Sequence, residues 1–467
     1  MSGLFQSLEI GKRALLSHQV VLQTIGHNIA NVNTPGYSRQ RVSIVTTIPE
    51  NSQFGPVGSG IKVNDIRHVR DLFLGQQYRE AQKSLGNWAY QNKTLSQIES
   101  VFNEPQDNSL ADALNDFWND WSSLSTDAES HGHRSNLLAS SQRLVNGFKQ
   151  LSQSLTELRD ATDRDLENIT SDINRLTTEV ARINQQITET ELGDSQANDL
   201  RDMRDHLTDQ LSGYIDVNTQ VKANGTTVVA MGGMILVDGS DSIDLDAVVD
   251  HKDNQATHRL VWKGTNVELR NVNGQLAGLM ETRDETIPSY LDRLNELSRT
   301  LVEEVNALHV SGYGLDGSTG VNFFDANFTD ASAIRINSEV LFDSNKIAIS
   351  DSSNPDDRGN ARIATAISAL RESLAMGGGT ATFNEFYNSL VGALGVEAKE
   401  AQSFEANYEL LSRQIENKRQ SVQGVSLDEE MANMVKFQHA YDAAARVITA
   451  MDQALDTVIS GMGIVGR

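Results

Sequence analysis

Three short stretches carry side chains that could do chemistry. His131-Gly132-His133 sets two imidazoles close together, as a metal site might begin. A zinc site needs three or four protein ligands, and this stretch offers only two imidazoles, so a solvated loop fits better. Asp238, Asp241, Asp244 and Asp246 could offer oxygens to calcium. Their order lacks the EF-hand spacing and its closing Glu, and a polar turn between strands is the simpler reading. Gly377-Gly378-Gly379-Thr380 precedes a helix as a phosphate loop would, yet no Lys follows it. It reads as a flexible link between Met376 and the helix starting at Phe383. Ser and Asp are spread along the whole chain and the 10 His are scattered, so no Ser/His/Asp order stands out. Cysteine is absent, which removes disulfides and thiolate chemistry. The expectation is a protein that is not an enzyme, with no catalytic residue, no cofactor and no metal.

The strongest pattern is instead apolar, and it lies at the two ends. Leu8, Leu15, Leu22 and Ile29 recur every seven residues, with Ile25 three places after Leu22. Met434, Tyr441, Ile448, Leu455 and Met462 do the same, with Phe437, Met451 and Val458 filling the alternate positions. Each set is the seam of a coiled coil. One helix cannot bury such a seam alone, so each end needs a partner. Gly11 and His18 interrupt the first seam and weaken that helix on its own. Both seams are therefore expected to be assembly interfaces. The first helix must stop in Asn31-Val32-Asn33-Thr34-Pro35-Gly36-Tyr37, because Pro35 pushes Thr34 out of the α region and Gly36 can take a positive φ. Asn31, Asn33, Thr34, Pro35, Gly36 and Tyr37 are the expected joint.

Composition bounds the partners. The chain has 467 residues and a formal net charge of −24, from 63 acidic and 39 basic side chains. Such a chain repels nucleic acid and anionic membranes. No unbroken apolar run is long enough to insert in a membrane, and the start lacks the features of a cleaved secretory signal. That reads as cytoplasmic, or as exported by a route without such a signal.

The elements between the ends are nested. Alternation at Val42, Ile44, Thr46 and Ile48, then Ile61 and Val63, predicts a short β-hairpin. Helical spacing follows to about residue 213. It includes Leu110, Leu114, Phe117, Trp118 and Trp121 on one aromatic face, and a helix over about 134–192 that would span roughly 88 Å. Leu137, Leu144, Leu151 and Leu158 keep one phase there; Ile169, Leu176 and Ile183 keep another, offset by four, a stutter. The fold class is thus mainly α with an inserted β-rich domain, elongated and multidomain. Residues 1–33 and 427–467 should form a terminal coiled coil. Residues 34–213, 279–314 and 381–426 should form a long helical bundle, and 214–278 with 315–380 an outer β-rich domain. Both termini should lie together at one end of a long molecule.

At this point the residues match a known family. Ile25-Gly26-His27-Asn28-Ile29-Ala30-Asn31-Val32-Asn33-Thr34-Pro35-Gly36-Tyr37 resembles the N-terminal signature of the bacterial flagellar axial proteins, which include rod, hook and hook-associated proteins. Ser426-Leu427-Asp428-Glu429-Glu430-Met431-Ala432, with Phe437 to Tyr441, is similar to their C-terminal signature. Tyr37-Ser38-Arg39-Gln40-Arg41, the long helical middle and Leu200-Arg201-Asp202-Met203-Arg204-Asp205 narrow the resemblance to the hook-associated members that join hook to filament. The resemblance implies a structural subunit that leaves the cell unfolded through the flagellar export apparatus and settles at the hook–filament junction. Its partners would be copies of itself, the hook protein, a second junction protein, filament subunits and an export chaperone. A hook or distal rod protein shares the terminal signatures, but should lack the long helix at 134–192. An exported hydrolase or adhesin would need a clustered pocket or a repeated β module within 214–380.

Overall fold

The computed structural model describes residues 2–52, 55–102, 109–191, 196–252, 255–269, 272–354, 357 and 359–462. The two ends form long helices, α1 (Ser2–Ala30) and α11 (Leu427–Met462). They run antiparallel along each other. Gly11 faces Ile448 and Val447, while His18 lies against Phe437 with ring centroids 5.8 Å apart. A Cβ on Gly11 would come within 2.9 Å of Ile448, so the glycine that breaks the seam is what lets the two helices approach. The first and last helices of the described chain thus pack against each other.

After α1 the chain turns into β1 (Gln40–Thr46), which pairs antiparallel with β4 (Ile61–His68) and slips register between Ser43 and Ile44. The short strands β2 (Glu50–Ser52) and β3 (Gly55–Val57) extend this hairpin to its tip. Next come α2 (Leu72–Phe102), α3 (Leu110–Thr126), α4 (His131–Thr190) and α5 (Asn198–Tyr214). Helix α4 has 60 residues, so it is about 90 Å long. A four-stranded antiparallel sheet in the order β5 (Asn218–Val221), β6 (Thr227–Met231), β7 (Met234–Asp238), β8 (Asp241–Ser242) follows, then the hairpin β9 (Leu245–Lys252) and β10 (Gln255–Trp262). Helix α6 (Gln275–Glu281) passes through a π turn at Thr282–Thr286 into α7 (Ile287–Val310). Short helices α8 (Ser338–Phe342) and α9 (Arg362–Ala369) precede α10 (Phe383–Gln423), which packs along α2.

Two apolar cores share α4. Phe117, Trp118 and Trp121 of α3 sit in the first with Leu137, Leu144, Leu151 and Leu155 of α4. Leu166, Ile169, Ile173, Leu176 and Val180 of the same helix build the second, with Val229, Leu236, Leu245 and Leu260 of the sheets. The four-residue offset in the leucine pattern therefore falls where α4 passes from one core to the other. The same division corrects one expectation. Residues 214–278 are β-rich, but 315–380 form no laddered strand among the described residues, and Phe323, Phe324, Ile334 and Ile349 enter the first, helical core. The Asp, Asn and Gly in that segment make tight turns that seat short apolar runs, such as Gly320 at φ 75° before Phe323. Turn residues had the look of a β domain without its strands. No described helix is long and apolar enough to cross a membrane.

Candidate functional site: the terminal helix pair and its joint

The seam residues face one another inside the chain. Ile25 is buried, while Leu8, Leu15, Leu22, Ile29, Met434, Phe437, Tyr441, Ile448, Met451, Leu455 and Val458 are partly buried. The Met462 side chain lies outside the described residues. Beyond the seam a second set of apolar side chains stays open: Leu16, Leu427, Met431, Val435, Val447 and Ile459 are exposed. Leu427, Met431 and Val435 are four apart and so share one face of α11. The seven-residue pattern did not contain them, although their own spacing is helical.

The joint is built on one buried amide. Asn28 Nδ2 donates to the Gln40 carbonyl (2.9 Å) and its Oδ1 accepts from the Gln40 N–H (2.9 Å). The side chain thus pairs both backbone groups of the first residue of β1, as a neighbouring strand would. Its Oδ1 also accepts from the Tyr37 hydroxyl at 2.8 Å, and His27 Nδ1 lies 3.0 Å from the same hydroxyl. Burial, then the nearby Asp199, Asp202 and Glu430, pushes the Tyr37 phenol above its ordinary range, so it remains a donor. The turn is closed by the Thr34 N–H donating to the Asn31 carbonyl (2.9 Å) and the Tyr37 N–H to the Thr34 carbonyl (3.2 Å). Asn33, Thr34 and Pro35 are exposed at its tip. Gly36 sits at φ 76°, and a Cβ there would lie 2.7 Å from His206 Cβ. Both its backbone and its surroundings call for glycine.

Helix α5 holds the joint from the other side. The buried Asp202 accepts the Ser38 N–H at 2.8 Å and meets His68 Nδ1 at 3.1 Å and Arg70 at 3.4 Å. Arg70 also pairs with Asp205 at 2.8 Å. Burial alone would raise the Asp205 carboxyl, but Arg70 and Arg204 outweigh it and hold it below the usual range. Asp209 joins Arg79 of α2 (3.2 Å) to Arg419 of α10 (2.6 Å). The Arg39 N–H donates to the Gln423 carbonyl at the end of α10 (2.8 Å), and its guanidinium meets Glu429 of α11 at 2.5 Å. Residues 37–40 are thereby fastened to α1, α5, α10 and α11 at once. Sequence reading found the turn but missed Asn28 as its clamp and α5 as its socket. The signal was there: Asp199, Asp202, Asp205 and Asp209 recur at three- and four-residue steps, one face of a helix.

The other motifs are placed elsewhere. His131 and His133 open α4, where Ser130 Oγ accepts the His133 N–H as N-cap, and residues two apart on a helix do not face each other. Asp238 pairs with Lys222, and Asp244 with Lys263 at 2.8 Å, so these carboxylates serve separate cations. Gly377, Gly378 and Gly379 all take positive φ in a turn closed on the Met376 carbonyl, ahead of a capping box between Thr382 and Glu385.

The chain thus presents a pair of terminal helices joined by a polar turn to a long helical body. Residues 418–461 match the family described as flagellar basal body rod FlgEFG protein C-terminal, and 95–324 match the flagellar hook-associated protein FlgK helical domain. The flagellar hook-associated protein 1 of Bacillus subtilis (strain 168) is 30% identical over the whole of both chains. That of Escherichia coli (strain K12) is 26% identical, over 98% of this chain and 100% of the relative. The solved structure of the flagellar hook junction protein FlgK from Burkholderia pseudomallei shares the fold, with a TM-score of 0.64 at 16% identity over 74% of this chain and all of that one. The chain belongs to the flagellar hook-associated protein 1 family.

Proposed function

We propose that this chain is the structural subunit that joins hook to filament, and that it works by assembly and not by catalysis. The observation that carries the reading is the open apolar stripe Leu427, Met431, Val435 on a helix whose other seam is already paired within the chain. Unpaired stripes of this kind mark surfaces that bury on association. The seam residues set the spacing of the pair, and the stripe lies against neighbouring copies. Hook protein on one side, and a second junction protein with filament subunits beyond it, are the partners this position requires. Export through the flagellar apparatus, with a chaperone holding the unfolded chain, supplies the route outside. Antibody labelling of intact flagella tests the reading: signal confined to the hook–filament boundary is expected. Signal along the hook or in the rod overturns it in favour of another axial role.

A further inference from the structure

Two features beside the joint stay open among the described residues. The first is a knob. Leu72 and Phe73, in the first turn of α2, are 73% and 65% exposed. They are firmly held, because Asp71 accepts the Phe73 and Leu74 N–H groups at 2.9 and 3.2 Å and Arg70 is tied to Asp202 and Asp205. Large apolar side chains so exposed on so fixed a turn are poised for contact. The second feature is a groove of about 480 Å³ between β1, the last turns of α1 and the first turns of α11. Ile25, Val42, Ile44 and Phe437 give it an apolar floor. Arg41 and Lys436, both exposed, stand at its rim and make no ion pair among the described residues. Glu429 and Glu430 also line the groove, but Glu429 is paired with Arg39 and Glu430 is buried, so in a chain of net charge −24 the two exposed cations make the rim locally positive.

We propose that Leu72 and Phe73 of one copy seat in this groove of a second copy, with Asp71 facing Arg41 and Lys436. The inference rests on the reading that copies of this chain assemble. Charge selects the occupant: the knob carries its own carboxylate next to two apolar side chains, the complement of an apolar floor under two cations. Knob and groove are different patches of one surface, so the contact is head-to-tail. Such contacts propagate into a ring or a helix and do not stop at a pair.

The absence of cysteine makes the test direct. A chain with both Phe73→Cys and Val42→Cys is produced in cells lacking the unaltered protein, and isolated hooks with their junctions are oxidised. A ladder of disulfide-linked multimers is expected, with monomer only from either single variant. Splitting the two cysteines between co-produced chains should give a single dimer band, which keeps the test open if the double variant folds poorly. Leu72→Ser with Phe73→Ser should leave thermal melting unchanged while incorporation falls. Incorporated chains that stay monomeric on oxidation overturn the proposal, as does self-linking of the Phe73→Cys chain alone. So does a photoreactive side chain at position 73 that marks another flagellar protein and not this one. Absence of the unaltered chain from the junction is a different result, and it sinks the proposed function itself.

Discussion

At the scale of single residues, Gly36 and His309 make the sharpest claims. Gly36→Val combines a positive φ with a side chain aimed at His206. A β-branched residue there costs on the order of 1–2 kcal/mol in backbone strain before any clash is counted. The proposed export route takes an unfolded chain, so Gly36→Val protein should reach the medium but join the hook poorly. Filaments of normal length on these cells would show that the turn does not shape the joint. His309, buried in the first core, has both ring nitrogens committed: Nδ1 lies 2.7 Å from the Val321 carbonyl and Nε2 accepts the Ala348 N–H at 2.9 Å. That pattern fits only a neutral imidazole. Burial pushes its pKa from 6.5 down to about 4. Between those values the unfolded chain binds the extra proton, so stability is full above about 6.5, falls as pH drops, and levels off below about 4. The loss is on the order of 3 kcal/mol. Urea midpoints from pH 7 to pH 4 should fall less steeply for His309→Gln than for the unaltered protein. Equal slopes would mean that this imidazole is not held neutral.

At the scale of elements, the joint behaves as a polar dock. Among the described residues, neither apolar core contains a side chain of α1, of α11 or of the β1–β4 hairpin. Their hold on the body runs through the hydrogen bonds and ion pairs of α5 and the end of α10. Asp202→Ala removes the acceptor of the buried Ser38 N–H and one partner of Arg70, a cost of roughly 1–3 kcal/mol for the unmade bonds. Amide exchange should quicken in residues 2–46 and stay slow in α4. Loss spread evenly over both regions would show that Asp202 belongs to the general fold and not to the dock. This is also where the sequence reads unevenly. The seams, the stop at Pro35 and Gly36 and the long α4 were legible because heptad spacing and backbone chemistry are local. The pairing of Asn28 with Gln40, and of α5 with Ser38, joins residues up to 164 apart in the chain and leaves no periodic trace across that distance. The segment 315–380 misled for the opposite reason. Its turn residues are locally clear, but whether turns join strands or short core-seeking runs is decided by tertiary packing alone.

At the scale of the whole molecule, stability should be graded along its length. Helix α4 contributes to both cores and should exchange slowest, while α1 and α11, with partly buried seams, should exchange fastest in the isolated subunit. Strong protection of 2–30 in a verified monomer would show that the pair needs no neighbours. The pairing order has another consequence. Helix α1 closes on α11, and α2 closes on α10, so the contacts are nested like brackets around the rest of the chain. The outermost bracket joins the first helix to the last, and it cannot close until nearly every residue has been made and released. A chain broken off anywhere before Leu427 keeps an opening bracket with no closing one, and a bare seam on α1. The fold thereby works as a check on completeness, in which only an intact polypeptide can present the finished surface.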